Sequence, residues 1–597
     1  MERAFYLSSL LLLLLHNSIL AQTPIVGSRL GENFDTVTLV QKLSDPWELT
    51  WGPDNFLWVT ESRGYTVRRV NPNTGANVKI LDLTPLRNFP RYDKISDAID
   101  GGKPWPQGGL EGMAIHPQFN SGKPYVYLTY VHTYSGSAST GNGCLTGSQG
   151  CFFTSRIVRY EYDAVEDTLI NPLTLVDTIP GSSDHNSGRL LIAPVNGVYY
   201  LFSSVGDMGG GQFANGARPI RAQSTDIYEG KILRFNLEPD ADAGIYDRWI
   251  PSDNPFNGAK QSAVWSYGHR NVQGLTYGVV NGTGFMYAAE HGPFSDDEVN
   301  IIEKGKNYGH PLVIGANDGN YNGAAAGASN NSALPGAHNS SAPIISNENT
   351  NATALGADFR GPIKTFYSPD NATLISIFNA VIGGNNNNSG WPSDGISSVE
   401  FYGNNAVPNW YNSLFVTTLK GGKIIRLKLN TSGTGVVSLA GADTVNYFRS
   451  TNRFRDIAFS PDGLSMFAII DSSSVTSGPT SGNPAVITSR GALIKFTYRN
   501  GGILSLRNDT TQPVRKEYSV QIYPNPTNKF IVVSFEIGVH KPVSYQLVDM
   551  AGRVVLKDKT QQNVFTINVS HLKRGLYILK LFNGYGVEVK MEKMVVN

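Results

Sequence analysis

Trp47-Glu-Leu-Thr-Trp-Gly-Pro-Asp-Asn-Phe56-Leu-Trp-Val-Thr-Glu61 opens the part of the chain that decides its fold. Two short runs, in which apolar and polar residues alternate, are separated by the turn-forming residues Gly, Pro, Asp and Asn. The pattern continues after a glycine turn with Thr66-Val-Arg-Arg-Val70. Short alternating runs between tight turns are typical of antiparallel β-strands.

The same pattern recurs along the chain. Its later copies begin near Gly109, Arg189, Gly274, Val399 and Asp456. Six imperfect units of roughly four strands each predict an all-β fold with radial repetition, a six-bladed β-propeller over residues 34–500. An array of β-sandwiches is the structural alternative. The stretch 316–357, rich in Asn, Gly, Ala and Ser, is expected to be an irregular insertion between the fourth and fifth units.

The composition and the N-terminus indicate an exported protein without a charged macromolecule as partner. Only 16% of the 597 residues are charged, and the net charge of +1 gives no reason to expect nucleic acid or an anionic membrane. Met1-Glu-Arg3 precedes an apolar run that ends near Ala21, which is typical of a secretory signal peptide over 1–21. No later segment approaches about 18 consecutive apolar residues, so the mature protein is expected to be soluble and to lack a transmembrane segment.

The chain has two cysteines, Cys144 and Cys151, which bracket the loop Leu-Thr-Gly-Ser-Gln-Gly. In an exported protein they are expected to form a local disulfide. Catalytic or metal-binding use is the second interpretation, and it is weaker because the loop contains no histidine.

After Arg507 the pattern changes. Alternating runs such as Phe530-Ile-Val-Val-Ser-Phe535 predict a small C-terminal β-sandwich over 517–597, which follows a linker at 501–516. The histidines of this segment are His540 and His571, and it has no carboxylate cluster. A non-catalytic role is therefore favoured.

Asp184-His185 is the first candidate for chemistry, because a Gly/Ser-rich turn and the apolar run Leu190-Leu-Ile192 place it at the open end of a strand. Gly292-Pro-Phe-Ser-Asp-Asp-Glu298 combines carboxylates with exposed carbonyls, which suits calcium, and Asp318 is an additional candidate ligand. The alternatives are a structural histidine and a solvated acidic turn.

A group of cations is the third candidate. Arg453 and Arg455 share one face of a predicted strand, so they repel each other unless an anion lies between them. Lys420 and Arg270 also lie at strand ends, which together predicts a small polyanionic ligand. In the alternative interpretation, the arginines pair with local aspartates such as Asp456.

From Phe34 to Arg499 the chain resembles the soluble quinoprotein glucose dehydrogenases of the glucose/sorbosone dehydrogenase family, which use pyrroloquinoline quinone (PQQ). The matching motifs follow the order of the family: Gln107-Gly-Gly-Leu-Glu-Gly, Asp184-His185-Asn-Ser-Gly-Arg-Leu, Gly206-Asp207 with Gln212, Gly268-His-Arg-Asn, Gly292-Pro-Phe-Ser-Asp-Asp-Glu, Trp391-Pro-Ser, Leu419-Lys420 and Asn452-Arg-Phe-Arg-Asp. The resemblance implies a six-bladed propeller that oxidises the C1 hydroxyl of an aldose to the lactone.

The resemblance also implies roles for single residues. His185 would be the general base, Asp207 would orient it, and Arg270 would help calcium to polarise the quinone. The residues implied to contact the sugar are Gln107, Asp184, Gln212, Arg270 and Trp391. Those implied to hold PQQ are Asn271, Lys420, Arg453, Arg455, Trp391 and Ser393. Those implied for calcium are the carbonyls of Gly292 and Pro293 at the cofactor, and Asp297, Glu298 and Tyr308 at a second site.

Three departures from the family concern the sugar pocket. Asn388 stands where the family's sugar pocket has an aromatic residue, the loop between His185 and Asp207 is longer, and the segment Gly383–Gly390 differs. The sequence specifies neither the preferred sugar nor the electron acceptor, and a homodimer is compatible with it. Two other functions remain open: a non-catalytic propeller that binds calcium and carbohydrate, and a metal-dependent lactone hydrolase.

The C-terminal segment resembles the sorting domain of the type IX secretion system of Bacteroidetes. The matching motifs are Tyr523-Pro-Asn-Pro-Thr, Asp549-Met-Ala-Gly-Arg and Arg574-Gly-Leu-Tyr. This resemblance implies an export signal and a secreted, periplasmic or outer-membrane location.

Overall fold

The computed structural model of the chain describes residues 32–85, 108–132, 144–145, 149–212, 215–241, 247–332, 334, 337–385, 388–439, 442–472, 487–499, 520–535, 543–550, 552–562, 564–582 and 588–597. It divides into two compact units, Met1–Gly501 and Gly502–Asn597. The predicted signal peptide (1–21) and linker (501–516) lie outside the described residues. No helix in the described ranges is long and apolar enough to cross a lipid bilayer.

As predicted, the first unit is all-β, and its sheets are antiparallel. Its described residues also include two short α-helices. Strand β1 (Phe34–Val40) belongs to the last sheet. The first sheet has the order β2 (Pro46–Trp51), β3 (Leu57–Glu61), β4 (Thr66–Val70) and β5 (Asn77–Asp82). The second contains β6 (Leu110–Ile115), β7 (Tyr125–His132), β10 (Phe153–Asp163) and β11 (Thr168–Gly181), and a separate ribbon is formed by β8 (Cys144–Leu145) and β9 (Gly150–Cys151). The third has the order β12 (Ser187–Val195), β13 (Val198–Val205), β14 (Lys231–Asn236) and β15 (Val264–Tyr267).

Three further sheets follow. The fourth has the order β16 (Val272–Val280), β17 (Thr283–Glu290), β18 (Asp297–Ile301) and β19 (Lys364–Phe366). The fifth contains β20 (Ile396–Tyr402), β21 (Ser413–Thr418), β22 (Ile424–Leu429), β23 (Val436–Val437) and β24 (Val445–Tyr447). The sixth joins β1 to β27 (Leu493–Tyr498), β26 (Ser465–Ile470) and β25 (Phe454–Phe459), so it combines the two ends of the unit.

One strand of each sheet, called here the inner strand, contacts the inner strand of the next sheet. The inner strands are β2, β6, β12, β16, β20 and β25, and β25 contacts β2 again. Apolar side chains fill the spaces between neighbouring sheets, for example Trp58, Val67 and Leu128 between the first two. Each of these six strands therefore contacts two others of the set.

Each inner strand carries one extra residue near its start relative to its hairpin partner. The irregularities occur between Pro46 and Leu49, Leu110 and Met113, Ser187 and Leu190, Val272 and Gly274, Ile396 and Ser398, and Phe454 and Asp456. Such bulges re-aim side chains out of the regular alternation. The polar residues at the bulges are Glu48, Glu111, Arg189, Gln273, Ser397 and Arg455.

Arg189 connects these bulges. Its Nη1 donates to Glu48 Oε2 at 2.6 Å and to Asp456 Oδ2 at 2.8 Å. Its Nε donates to the Gln273 carbonyl at 2.8 Å, and its Nη2 to the Ser397 carbonyl at 3.4 Å. One buried guanidinium group thereby joins the inner strands of five sheets.

Two short α-helices occur in the described part of the first unit. Helix α1 (Glu348–Leu355) lies inside the stretch expected to be an irregular insertion, and α2 (Asn371–Ile382) was not predicted. The apolar face of α2, with Leu374 and Phe378, packs with Tyr321 and Phe294 in a small core of its own. Helix α2 was missed because turn-forming residues precede and follow its apolar run, at Ser368-Pro-Asp370 and Gly383-Gly384.

The second unit has two antiparallel sheets. One has the order β28 (Val520–Tyr523), β29 (Phe530–Phe535) and β32 (Val564–Asn568). The other has the order β31 (Val554–Thr560), β30 (Val543–Asp549), β33 (Gly575–Phe582) and β34 (Glu588–Val596). Both sheets contribute to one apolar cluster, which includes Ile531, Leu547 and Leu579.

Replacing Arg189 by methionine is expected to destabilise the first unit by about 3–5 kcal/mol, because Glu48 and Asp456 would stay buried without their cation. The exposed pair Arg499–Asp35 provides the matched control, and Arg499→Met is expected to cost less than about 1 kcal/mol. Urea denaturation followed by tryptophan fluorescence measures both. Equal shifts of the two midpoints would contradict a central role for Arg189.

Candidate active site

The turn that carries His185 is held in an unusual conformation. His185 has a φ of 50°, and the Asn186 side chain closes the turn by accepting from Ser182 N at 2.7 Å and donating to Ser182 O at 2.9 Å. Asp184 Oδ1 accepts from His185 N at 3.1 Å. A Cβ at Gly206 would lie 1.9 Å from the His185 carbonyl oxygen, so the neighbouring strand end requires glycine. Backbone strain of this kind is typical of functional sites.

The hydrogen bonds of His185 define its tautomer. Its Nδ1 lies 2.7 Å from Asp207 Oδ1. Burial opposes the charge of Asp207, but the imidazoles of His185 and His310 outweigh burial and lower its pKa, so Asp207 is an ionised acceptor. His185 Nδ1 therefore carries the proton, and Nε2 accepts from the Gln212 amide at 2.8 Å. The imidazole presents a basic nitrogen beside Gln212.

Arg270 is placed by a carboxylate that the sequence did not single out. Glu290 Oε1 accepts from the backbone N–H of Asn271 at 3.0 Å and from that of Arg270. The guanidinium group of Arg270 then reaches the Gln212 Oε1 at 3.3 Å and the His291 carbonyl at 3.1 Å. His269 contacts the same carboxylate, since its Nδ1 lies 3.2 Å from Glu290 Oε2.

Arg453 and Arg455 share a carboxylate, but it is not the one expected. Arg455 forms two bonds with Asp471, at 2.9 and 3.1 Å, and Arg453 Nε donates to the same group at 3.3 Å. Asp456, named as the local alternative, pairs with Arg189 instead. Asp471 begins the loop after β26, and its distance along the chain concealed it.

Asn271 is linked to these arginines through Gln273, whereas Lys420 bonds to a different segment. Arg455 Nη1 donates to Gln273 Oε1 at 3.1 Å, and Gln273 donates to Asn271 Oδ1 at 3.1 Å. Lys420 Nζ donates to the carbonyls of Asn388, at 2.8 Å, and Trp391, at 2.5 Å. Burial lowers the pKa of Lys420 to about 8.

Several buried cations gather around His291. Burial, together with the charges of Arg270, Arg455 and Arg453, keeps the pKa of His291 well below its ordinary value. Carboxylates lie there as well, since Asp297 Oδ1 is 4.0 Å from His291 Nδ1 and Asp471 pairs with Arg453 and Arg455. Guanidinium groups suit carboxylate ligands, and PQQ has three carboxylates, so the residues present fit this cofactor.

Trp391 and Ser393 are joined to the acidic loop. Ser393 Oγ donates to Asp297 Oδ2 at 2.9 Å, and the backbone N–H groups of Asp394 and Gly395 donate to the same oxygen at 3.0 Å. The Trp391 ring meets Phe294 edge to face at 4.9 Å. Asp297 therefore braces the Trp391–Ser393 segment against the loop that begins at Gly292.

The carbonyls of Gly292 and Pro293 fit a cation. Within the part of the chain that the structure describes, no group donates a hydrogen bond to either oxygen. Gly292 is half-buried and Pro293 is buried, and both line a small cavity with His291, Glu298 and His310. Unpaired carbonyl oxygens beside carboxylates are the ligands that calcium prefers.

A second group of acids surrounds the segment 314–321. Glu298 Oε1 accepts from Gly315 N at 2.8 Å, and Glu348 Oε1 accepts from Ile314 N at 3.0 Å. Burial raises the pKa of Asp296 to about 6 and that of Glu348 to about 7. The Tyr308 hydroxyl bonds to the Ile301 carbonyl at 2.5 Å, so this hydroxyl serves the fold. Glu348, on α1, was not predicted as part of the acidic group.

Two predictions cannot be placed in full. Gln107 lies outside the described residues. Cys144 and Cys151 are directly opposite each other in the ribbon of β8 and β9, and their disulfide stays a prediction.

The family model described as glucose/sorbosone dehydrogenase matches residues 43–354 and 385–476. The chain belongs to the glucose/sorbosone dehydrogenase family. The part that this family model leaves out between its two matches contains α2. The model described as a secretion system C-terminal sorting domain matches residues 521–597.

Relatives support the same assignment. Quinoprotein glucose dehydrogenase B of Acinetobacter calcoaceticus is 34% identical over 81% of this chain and 95% of that protein. Aldose sugar dehydrogenase YliI of Escherichia coli is 26% identical over 73% of this chain and 90% of that protein. The solved apo-form of the soluble aldose sugar dehydrogenase from Escherichia coli has a TM-score of 0.50 at 21% identity, covering 78% of this chain and 100% of that one, and this likeness concerns the fold. Both of these relatives are named sugar dehydrogenases, and the first is a quinoprotein.

The buried acids predict that the metal-free protein loses stability as the pH rises. Asp296 and Glu348 have raised pKa values in the folded state, so the folded chain binds more protons than the unfolded chain between about pH 4 and about pH 7. We therefore expect the unfolding temperature in chelator to fall across this window.

Glu298→Gln is expected to reduce that fall, since burial and Glu290 also raise the pKa of Glu298. Asn300, whose Oδ1 has no partner among the described residues, can turn to accept from the new amide. Glu303→Gln, at a side chain that is 43% exposed, is the control. A pH-independent unfolding temperature would contradict this charge assignment.

Proposed function

We propose that this protein is an exported dehydrogenase that oxidises the C1 hydroxyl of a glucose-like aldose to the lactone, with PQQ as hydride acceptor and calcium as its partner ion. The fold proposed for it is a six-bladed β-propeller followed by a small β-sandwich. The observation that carries the proposal is the basic Nε2 of His185, which Asp207 holds next to Gln212 and Arg270.

His185 is the proposed general base. PQQ, when bound, would accept the hydride from C1 and so supply the redox chemistry. His185 Nε2 takes the proton of the C1 hydroxyl at the position where Gln212 now donates. Asp207 stabilises the imidazolium that forms, through its bond to Nδ1.

The cations and carbonyls are the proposed cofactor site. Arg453, Arg455, Lys420 and Asn271 would hold PQQ, with Trp391 and Ser393 beside it. The carbonyls of Gly292 and Pro293 would bind the calcium ion, which together with Arg270 favours negative charge on the quinone oxygen. Asp297, Glu298 and Tyr308 belong to the proposed second calcium site.

The sugar would meet Asp184, Gln212, Arg270 and Trp391, and Gln107 is assigned to the same pocket by resemblance. Phe294 and Phe378 lie behind Trp391, and Phe378 belongs to α2, which the family model does not cover. The wall of the proposed sugar pocket is therefore supported by a helix that the family model does not cover.

Export is proposed from the two ends of the chain. The C-terminal unit matches a secretion sorting domain, and Met1–Ala21 is the proposed signal peptide. We infer that the type IX machinery is the partner in export and that the enzyme acts at the outer-membrane surface, in the periplasm or outside the cell.

Reconstitution tests this function. Apoprotein supplied with PQQ and Ca²⁺ is expected to reduce an artificial electron-accepting dye with glucose or another aldose, and to lose activity with either omitted. A panel of lactones with and without PQQ tests the hydrolase alternative. Hydrolysis of lactones by PQQ-free protein, with no aldose oxidised by the reconstituted protein, would overturn the proposal.

Variants separate the roles within the same assay. His185→Ala is expected to lower kcat by about 100-fold or more while PQQ still binds, since the general base is lost. Arg453→Ala is expected mainly to weaken PQQ retention during gel filtration. His116→Ala, at a buried histidine that accepts from Gln118 N, is the matched control and should keep full activity. An unchanged kcat for His185→Ala would remove it from the base role.

A further inference from the structure

Asp207 holds two histidines, and only one of them is His185. His310 Nε2 lies 2.9 Å from Asp207 Oδ2, on the oxygen that His185 does not use. Both imidazoles and the carboxylate are buried, with 5% or less of each residue exposed. The three side chains form a continuous chain from His310 through Asp207 to the basic nitrogen of His185.

The direction of these bonds follows from charge. Asp207 is ionised and accepts only, so His310 Nε2 carries a proton and donates it. The other nitrogen, Nδ1, is buried and has no hydrogen-bond partner among the described residues. A neutral imidazole with its proton on Nε2 accounts for both facts, because a charged imidazolium would bury a second, unpaired donor.

The backbone fixes His310 in this place. Its N–H donates to the Gly268 carbonyl at 2.9 Å, and Gly309, with a φ of 91°, turns the chain just before it. Asn307 Oδ1 accepts from Gly309 N at 2.9 Å. Gly268 lies two residues before Arg270, whose carbonyl accepts from Asp207 N at 2.7 Å. His310 and Asp207 are thus mounted on the same segment.

We propose that His310 is a positioning residue that acts on His185 through Asp207. It donates to Oδ2 and so fixes the carboxylate in the rotamer that offers Oδ1 to His185. Gly209 N supplies the only other bond to the Asp207 carboxylate that the described residues show, at 3.0 Å, and it also goes to Oδ1. Without His310, Oδ2 would be a buried charge without a donor, and the carboxylate would turn to find one. The inference rests on the proposed role of His185 as the base.

Kinetics of the PQQ- and calcium-loaded enzyme test this role. His310→Leu removes the donor and is expected to lower kcat by about 10- to 100-fold, with KM for the aldose and PQQ retention little changed. His310→Gln offers an amide N–H and is expected to recover most of the loss. In an Asp207→Asn background, His310→Leu is expected to change kcat by less than about threefold, since its effect passes through Asp207.

Two results would overturn the positioning role. One is a kcat of native size in His310→Leu. The other is the same loss of kcat in the native and Asp207→Asn backgrounds, which would show that His310 acts on something else. A loss that His310→Gln does not recover counts against the donor role as well.

Proton NMR of the apoprotein keeps this test independent of activity. The Nδ1 proton of His185, assigned by its disappearance in His185→Ala, is expected to shift in His310→Leu and to return towards its native position in His310→Gln. An identical resonance in native protein and His310→Leu would overturn the inference. If the native enzyme oxidises no aldose, the proposed function fails, and the resonance alone then decides the role of His310.

Discussion

Arg189 lies between the inner strands of the first unit, and its bonds fix the positions of five of those strands relative to one another. Glu48 and Asp456 are buried with it, so the ion pairs are stable only while all three groups stay together. The bulges supply this arrangement, because each of them adds one residue and re-aims a polar side chain. Six similar irregularities thereby place polar side chains among the inner strands.

The candidate active site also uses polar residues from the bulges. Arg455 is the bulge residue of β25, and Gln273 that of β16; their side chains bond to each other at 3.1 Å. From there the network continues to Asn271 and to Asp471. The site therefore combines a cationic side, around Arg453 and Arg455, with carbonyls and acids around Gly292 and Glu298. His185 lies among these groups with its basic nitrogen already defined by Asp207.

The sequence alone predicted the strands well, because alternation and turn residues are local signals. Six repeated units were expected, and the described part of the first unit has six sheets of four or five strands beside the two-stranded ribbon. Partner choice was not predictable in the same way: Arg455 pairs with Asp471 and leaves Asp456 to Arg189, which only the three-dimensional order of the strands decides. Glu290, Gln273 and His310 were missed for the same reason. Helix α2 was missed because turn-forming residues surround it in the sequence. Its apolar face packs within a small local core.

Sugar oxidation at His185 is tested most directly in a single turnover. Protein loaded with PQQ and calcium is mixed with glucose, or with glucose deuterated at C1, without oxygen or an electron acceptor, and the absorbance of the bound quinone is followed. We expect the quinone to be reduced as lactone appears in equal amount, more slowly with the deuterated sugar and hardly at all in His185→Ala. A quinone absorbance that no aldose changes, or a native rate in His185→Ala, would contradict this function for the site.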